Sequence, residues 1–295
     1  MSAAERPSVA VIGLGAMGSG MAASLLRAGF AVTVFNRTAA RAEPLAALGA
    51  SVAASATDAF AAAPVVVLSL ADEAAVTEVL FGAGSPPRGT TVVDTSTVSP
   101  TFARSAGERL SALGVDRVEA CVIGNPPMAR EGRLRILTAG DPAIAERVGP
   151  VLRACGQQVR HVGRSGLAST VKLAFNLLLG VQTAGLAEAV GLVEAAGLPR
   201  DVLLTALEHS GWRSPVLSFR AGYMAGHNYR PAGFRAELMR KDLDLACAEA
   251  AEHQVRLPVT ERAAERFATV VRGGRGDEDA AVLAEFTAAA PVASR

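Results

Sequence analysis

The sequence carries no excess of charge: its formal net charge is +1, only 19% of its residues are charged, and acidic and basic side chains are interspersed. A near-neutral chain gives no electrostatic reason to expect nucleic acid or an anionic membrane as partner, and neither is expected. Cysteine is scarce. Cys121, Cys155 and Cys247 are widely spaced, odd in number and in no metal-ligand pattern. They argue against a disulfide framework or a zinc site and for buried thiols in a reducing, cytoplasmic compartment. The histidines His161, His209, His227 and His253 share no metal spacing and lie near no candidate nucleophile, so they are read as structural or surface residues and no metal is expected. Met1 to Pro7 is short and polar, which leaves no room for a signal peptide. No short-period repeat is present, and no low-complexity stretch beyond the Ala-rich C-terminus. Half the residues are hydrophobic, so disorder is excluded, and 295 residues suffice for two domains with substantial cores.

What the sequence does contain begins with the apolar run Val9–Ile12, followed at once by Gly13-Leu14-Gly15-Ala16-Met17-Gly18 and an apolar-periodic helix. A G-x-G-x-x-G alone is weak, but between a strand and a helix it is the dinucleotide-binding fingerprint. Gly13 permits the tight turn, Gly15 admits a pyrophosphate, and Gly18 lets helix and strand approach, with phosphate at the helix N-terminus. Strands are expected at Val9–Ile12, Ala31–Phe35, Val65–Leu70, Thr91–Asp94 and Asp116–Glu119. Helices are expected at Gly18–Ala28, Ala39–Leu48, Glu73–Leu80 and Thr101–Leu113. This alternation predicts a Rossmann-type parallel sheet with crossover helices. The loops after Ile12, Phe35, Leu70, Asp94 and Glu119 would then surround the cofactor, with Leu70 and Ala71 among its contacts. In the second loop an NAD site expects a carboxylate for the ribose 2′-OH, and this chain has Asn36-Arg37-Thr38 instead. A guanidinium beside a hydroxyl suits a 2′-phosphate, so NADPH (NADP+) is the expected cofactor.

A strand at Leu134–Leu137, a helix from Asp141-Pro142 to about Arg153 and a strand at Gln158–His161 extend the sheet. Gly163 and Gly166 then break the pattern, which divides the chain into a nucleotide-binding domain, residues 1–162, and an all-helical domain, residues 163–295. The second domain is read as built around one long interdomain helix, Leu167 to about Ala196, apolar on nearly every face and buried between domains or subunits rather than in a membrane. Further helices are expected at Arg200–Ser210, Val216–Ala225, Ala236–His253 and Pro258–Arg272. Early in the long helix stand Lys172 and, four residues on and on the same face, Asn176. A desolvated lysine loses its charge easily and suits proton transfer, whereas a lysine at a helix end also snorkels to solvent; spacing leaves both readings open. Lys241 and Asp242 begin an amphipathic repeat whose default reading is a solvated face. Trp212 is read as a core residue in preference to a pocket wall.

Taken together these residues resemble the β-hydroxyacid dehydrogenase family, which includes 3-hydroxyisobutyrate dehydrogenase and tartronate semialdehyde reductase, with imine reductases as close relatives. Four stretches carry the resemblance: Gly13–Gly18; Asp94-Thr95-Ser96-Thr97-Val98-Ser99-Pro100; Gly163 to Asn176; and Lys241-Asp242-Leu243-Asp244-Leu245-Ala246. The resemblance implies Lys172 as general acid or base at a carbonyl or hydroxyl, and Asn176 as the residue that orients it. It places Thr97 near the nicotinamide and substrate, and Lys241 over the cofactor site. It also implies an interlocked homodimer. Where the family usually carries Ser-Gly-Gly for a substrate carboxylate, this chain has Val122-Ile123-Gly124-Asn125. Isoleucine offers an anion no hydrogen bond, and an unpaired anion costs several kcal/mol in order of magnitude. The expectation is therefore carbonyl reduction of an atypical, less anionic small molecule held near Val122, Ile123, Gly124, Asn125 and Trp212. Imine reduction is the alternative, favoured by the apolar, proline-containing segment and by Asn36-Arg37-Thr38 with Arg41-Ala42, and opposed by an intact Lys172. A non-catalytic nucleotide-sensing protein on the same fold is the second alternative.

Overall fold

The computed structural model describes residues 7–82 and 84–287, so the segment ahead of Pro7 and the Ala-rich end of the chain lie outside the described residues. The first strands are β1 Val9–Ile12, β2 Val32–Phe35, β3 Ser51–Val52, β4 Val65–Leu68 and β5 Thr91–Asp94. They are followed by β6 Asp116–Ile123, β7 Leu134–Ala139 and β8 Gly156–His161. They form one sheet in the order β3-β2-β1-β4-β5-β6-β7-β8. Strands β1, β4 and β5 are buried along their whole length, as short β-branched runs covered on both faces must be. The pairs from β3 to β6 are parallel; β6 and β7 pair antiparallel, and β7 and β8 are parallel to each other. The reversal follows from the short Gly124–Arg133 connection, since a parallel crossover takes about a dozen residues or more.

The connections supply α1 Ala16–Arg27, α2 Glu43–Ala46, α3 Ala56–Ala62 and α4 Glu73–Phe81, then α5 Pro100–Ala112, α6 Pro126–Glu131, α7 Pro142–Arg147 and α8 Gly149–Cys155. Alternate residues of β1 feed two cores. Val9 and Val11 pack with Met21 and Leu25 of α1 and Leu152 of α8, while Ala10 and Ile12 pack with Phe60, Leu80 and Leu110 of α3, α4 and α5. The helix expected over Ala39–Leu48 is a 3₁₀ turn at Ala39–Arg41 followed by α2. The one expected to run to Arg153 breaks at Val148, because Pro150 has no N–H to continue α7 and instead sits in the first turn of α8. Strand β6 runs four residues past Glu119, to Ile123.

The chain divides into two compact units between Lys172 and Leu173. The boundary falls within α9, Leu167–Ala195. The second unit adds α10 Arg200–Glu208, α11 Pro215–Ala225, α12 Ala236–Glu252 and α13 Pro258–Arg272, and a 3₁₀ segment at Ala280–Phe286 that the periodicity did not reveal. Its core joins Val190 of α9 to Met224, Met239, Leu243, Phe267 and Leu283. Gly180 lets α9 and α12 approach, since a Cβ there would sit 2.8 Å from Leu243 Cδ2. By length and composition α9 could cross a membrane, yet Leu186, Ala187 and Val190 are core residues of this unit. Within one chain Phe175, Leu178 and Leu192 of α9 are 48%, 55% and 72% exposed, which an expectation of burial between subunits allows. One expectation is corrected. Trp212 is no core residue: it is 78% exposed, in a turn where Ser210 Oγ accepts its backbone N–H.

Candidate active site

The sheet order reverses at β1, between β2 and β4, and the loops beyond their carboxyl ends form the crevice where such sheets bind ligands. Gly13 has φ +95°, and a Cβ there would lie 2.3 Å from Ser69 O; one on Gly18 would lie 1.9 Å from Gly13 O. Nothing lies within 4 Å of a Cβ built on Gly15. The outer two glycines are thus required by the turn itself, and the middle one keeps open the space in front of α1. That helix has no side-chain cap and no acidic residue in its first turn, so its N–H groups and positive dipole end face the opening. A dinucleotide pyrophosphate fits there. Asn36, expected to touch cofactor, is committed to the backbone: its Oδ1 accepts from Leu14 N at 2.9 Å and its Nδ2 donates to Thr38 O at 3.1 Å. It braces the glycine turn against the second loop. Arg37 and Thr38 project beyond it, exposed.

The β4 and β5 loops are laced together. Thr95 Oγ1 donates to Leu68 O at 2.6 Å, and Leu70 N donates to Ser96 Oγ at 3.0 Å. Asp94 accepts from Ser96 N with one oxygen and pairs with buried Arg117 at 2.8 Å with the other. This fixes Leu70, half-buried, Ala71, exposed, and Thr97, half-buried, at the rim of the crevice. The Asp94–Arg117 pair was not legible in the sequence, since the partners stand on neighbouring strands.

At the end of β6, Lys172 Nζ donates to Val122 O at 2.8 Å. The segment beside it, Ile123–Pro127, carries no hydroxyl. Ile123 is half-buried, and Gly124 has φ +147° with Leu134 Cδ2 2.8 Å from an added Cβ. Asn125 Oδ1 caps α6 by accepting from Met128 N at 3.0 Å, and Pro126 and Pro127 have no N–H to give. Cys121, enclosed beside them, has its thiol pushed up to about 12 by burial first and by the charge of Glu119 next. Only two of the 29 basic residues are lysines, Lys172 and Lys241; every other permanent cation is an arginine.

In the helical unit, Asn176 Nδ2 donates to Asp242 Oδ2 at 2.5 Å. Lys241 Nζ lies 3.0 Å from Asp242 Oδ1, an ion pair without the alignment of a hydrogen bond. Asp242 is 2% exposed, which corrects the solvated-face reading. The signal was available in the spacing: Asp242 stands three residues after Met239 and four before Ala246, both buried. Asn176 itself stands one turn beyond Lys172 on α9.

A doubly wound sheet with this glycine turn defines a dinucleotide-binding protein. Two family models confirm the class: the NAD binding domain of 6-phosphogluconate dehydrogenase matches residues 8–163, and the NAD-binding domain of NADP-dependent 3-hydroxyisobutyrate dehydrogenase matches residues 166–287. The chain is 33% identical over 275 residues to 2-(hydroxymethyl)glutarate dehydrogenase of Eubacterium barkeri, covering 92% of this chain and 91% of that one. The 3-hydroxyisobutyrate dehydrogenase structure from Salmonella typhimurium superposes with a TM-score of 0.89 at 30% identity, over 95% of this chain and 99% of that one. A reductive aminase from Aspergillus terreus, in complex with NADPH and ethyl levulinate, superposes with a TM-score of 0.65 at 30% identity, over 96% and 99%. The chain belongs to the β-hydroxyacid dehydrogenase family, and is an NAD(P)-dependent dehydrogenase or reductase acting on a small molecule.

Proposed function

We propose that the protein is an NADPH-dependent reductase of a small, uncharged carbonyl compound, with Lys172 as general acid. The observation that carries this reading is the placement of Lys172 Nζ on Val122 O at the carboxyl end of β6, on the same edge of the sheet as the glycine turn. When bound, the cofactor supplies the hydride. Gly15 and the start of α1 hold its pyrophosphate, and Arg37 with Thr38 receives a 2′-phosphate, no carboxylate standing between Asn36 and Ala42 to repel it. Lys172 has three donors; one rests on Val122 O and fixes the ammonium, and another reaches the substrate oxygen and gives up its proton there. Asn176, one turn further along α9 with its amide nitrogen held by Asp242, is the residue that the family resemblance assigns to orienting lysine and substrate. The family resemblance assigns Lys241 to the cofactor.

The segment Ile123–Pro127 supports an uncharged substrate. The side chains of Ile123, Pro126 and Pro127 supply no donors, which leaves the Asn125 amide nitrogen as the segment's one side-chain donor. A second reading, reduction of a C=N bond, draws on the same apolar segment and on the reductive aminase likeness. NADPH oxidation across aldehydes, keto acids and cyclic imines separates the two. Turnover confined to anionic keto acids would overturn the uncharged-substrate reading, and silence across the panel would favour a nucleotide sensor. The working unit is an interlocked homodimer, supported by the exposed apolar residues Phe175, Leu178 and Leu192 along α9. Light scattering at micromolar concentration checks it, a monomer being the contrary result.

A further inference from the structure

Strand β6 grips the first turns of α9 at two levels. Glu119, 2% exposed, takes four donors from the helix start. Ser165 Oγ, at 2.6 Å, and the Gly166 N–H bind its Oε1; the Ser169 N–H at 3.2 Å and Ser169 Oγ at 3.1 Å bind its Oε2. Further along the same strand the Val122 carbonyl takes the Lys172 ammonium. Ser169 and Lys172 are three residues apart and share a helix face. A slip of one residue would move the helix by about 1.5 Å and turn it by about 100°, enough to take Lys172 off Val122 altogether. The four bonds to one buried carboxylate forbid both motions.

The charge matters as well as the grip. Among the described residues every hydrogen-bond partner of Glu119 is neutral, in contrast with Asp94, which is paired to Arg117. Cys121, enclosed between them in sequence, registers both charges: Glu119 pushes its thiol up and Lys172 acts in the opposite sense, with Asp94 adding a smaller upward push. We infer that Glu119 is a positioning residue for Lys172, fixing the start of α9 so that the ammonium meets the substrate and supplying the negative charge that keeps it protonated. This rests on the reading of Lys172 as general acid.

The two-lysine composition makes the test direct. Full-length protein labelled with ¹⁵N-lysine gives two Nζ signals, assigned with Lys172→Arg, whose titrations can be followed without substrate. Glu119→Gln is expected to lower the Lys172 pKa by about 0.5 unit or more, because an opposite charge is lost. Lys241 should titrate as before. With the aldehyde or imine that turns over in the panel, kcat should fall at least ~10-fold while the NADPH Kd stays put, as expected when a proton donor is misplaced. Glu119→Asp keeps the charge but not the reach, and should hold the pKa while lowering kcat. If Glu119→Gln does not fold, the Ser165→Ala/Ser169→Ala pair loosens the same grip and should lower kcat without changing the NADPH Kd; unchanged kcat would overturn the inference. A Glu119→Gln enzyme that only melts earlier, with the Lys172 titration and kcat unchanged, overturns it too. Should Lys172→Ala keep wild-type turnover, the general-acid reading fails, whereas an inactive Lys172→Ala beside an unaffected Glu119→Gln defeats this inference alone.

Discussion

Lys172 and Arg37 divide the chemistry at the residue scale. Lys172→Ala is expected to lower kcat by ~10²–10⁴-fold, the usual contribution of a general acid, with the NADPH Kd unchanged in a fluorescence titration. Arg37→Ala should weaken NADPH, leave NADH nearly untouched and so narrow their difference. The loss of a charge-assisted pair, about 1.5–3 kcal/mol, corresponds to ~10-fold or more in Kd. Equal losses for both cofactors would assign Arg37 to the adenine or to the loop. Neither role competes with folding, since Arg37 is exposed and Lys172 half-buried. Asn36 shows the opposite case: its amide spans Leu14 and Thr38, so its replacement acts through the turn.

The glycine turn sets the tests at the scale of elements. Gly18→Ala puts a Cβ 1.9 Å from Gly13 O and should destabilise the protein by about 1–3 kcal/mol or more, the range for overpacking. Gly15→Ala meets nothing within 4 Å, so its melting temperature should match wild type while its NADPH Kd rises. Calorimetric titration and thermal melts together separate the two; a Gly15→Ala enzyme with normal affinity would place the pyrophosphate elsewhere. The short β-branched runs, the glycine turn and the alternation of apolar strands with helical patterns made β1, β2, β4, β5 and α5 legible in the sequence. What escaped did so for physical reasons. Strand β3 has two residues, and α3 lies in an Ala-rich stretch with little apolar periodicity, marked only by Ser55 capping Asp58 N. Helix α6 was hidden because Pro126-Pro127 reads as a breaker, although Asn125-Pro126 is an N-cap followed by a first helical turn. In the site, the charged residues on helix faces were visible, but Glu119 and Asp94 were not, because their donors come from segments remote in sequence.

Across the whole molecule, each unit is tied by buried charge. In the helical unit Arg200 binds Glu194 at 2.6 Å and Glu285 at 2.9 Å, and Glu285 also accepts from Tyr229. Burial alone would raise the Glu285 carboxyl, but the hydrogen bonds from Tyr229 and Arg200 outweigh it and hold the group below the ordinary carboxylate range. A carboxyl lowered on folding contributes stability that is complete above its unfolded pKa, about 4.3, and is lost as pH falls through the folded value. Glu285→Gln should therefore melt below wild type at pH 7, with the gap closing as the pH drops below about 4. A constant gap across that range would show that shape, not charge, is at work. The central claim is that a dinucleotide held by the glycine turn and a proton given by Lys172 together reduce an uncharged substrate. The most direct measurement offers [4-²H]NADPH with a panel of aldehydes, keto acids and cyclic imines to wild type and Lys172→Ala, and follows deuterium into product by mass spectrometry. Deuterium on the carbinol carbon of the alcohol formed from an uncharged carbonyl substrate, lost in the variant, is the predicted result. Transfer only to anionic keto acids, or transfer at wild-type rate without Lys172, would contradict it.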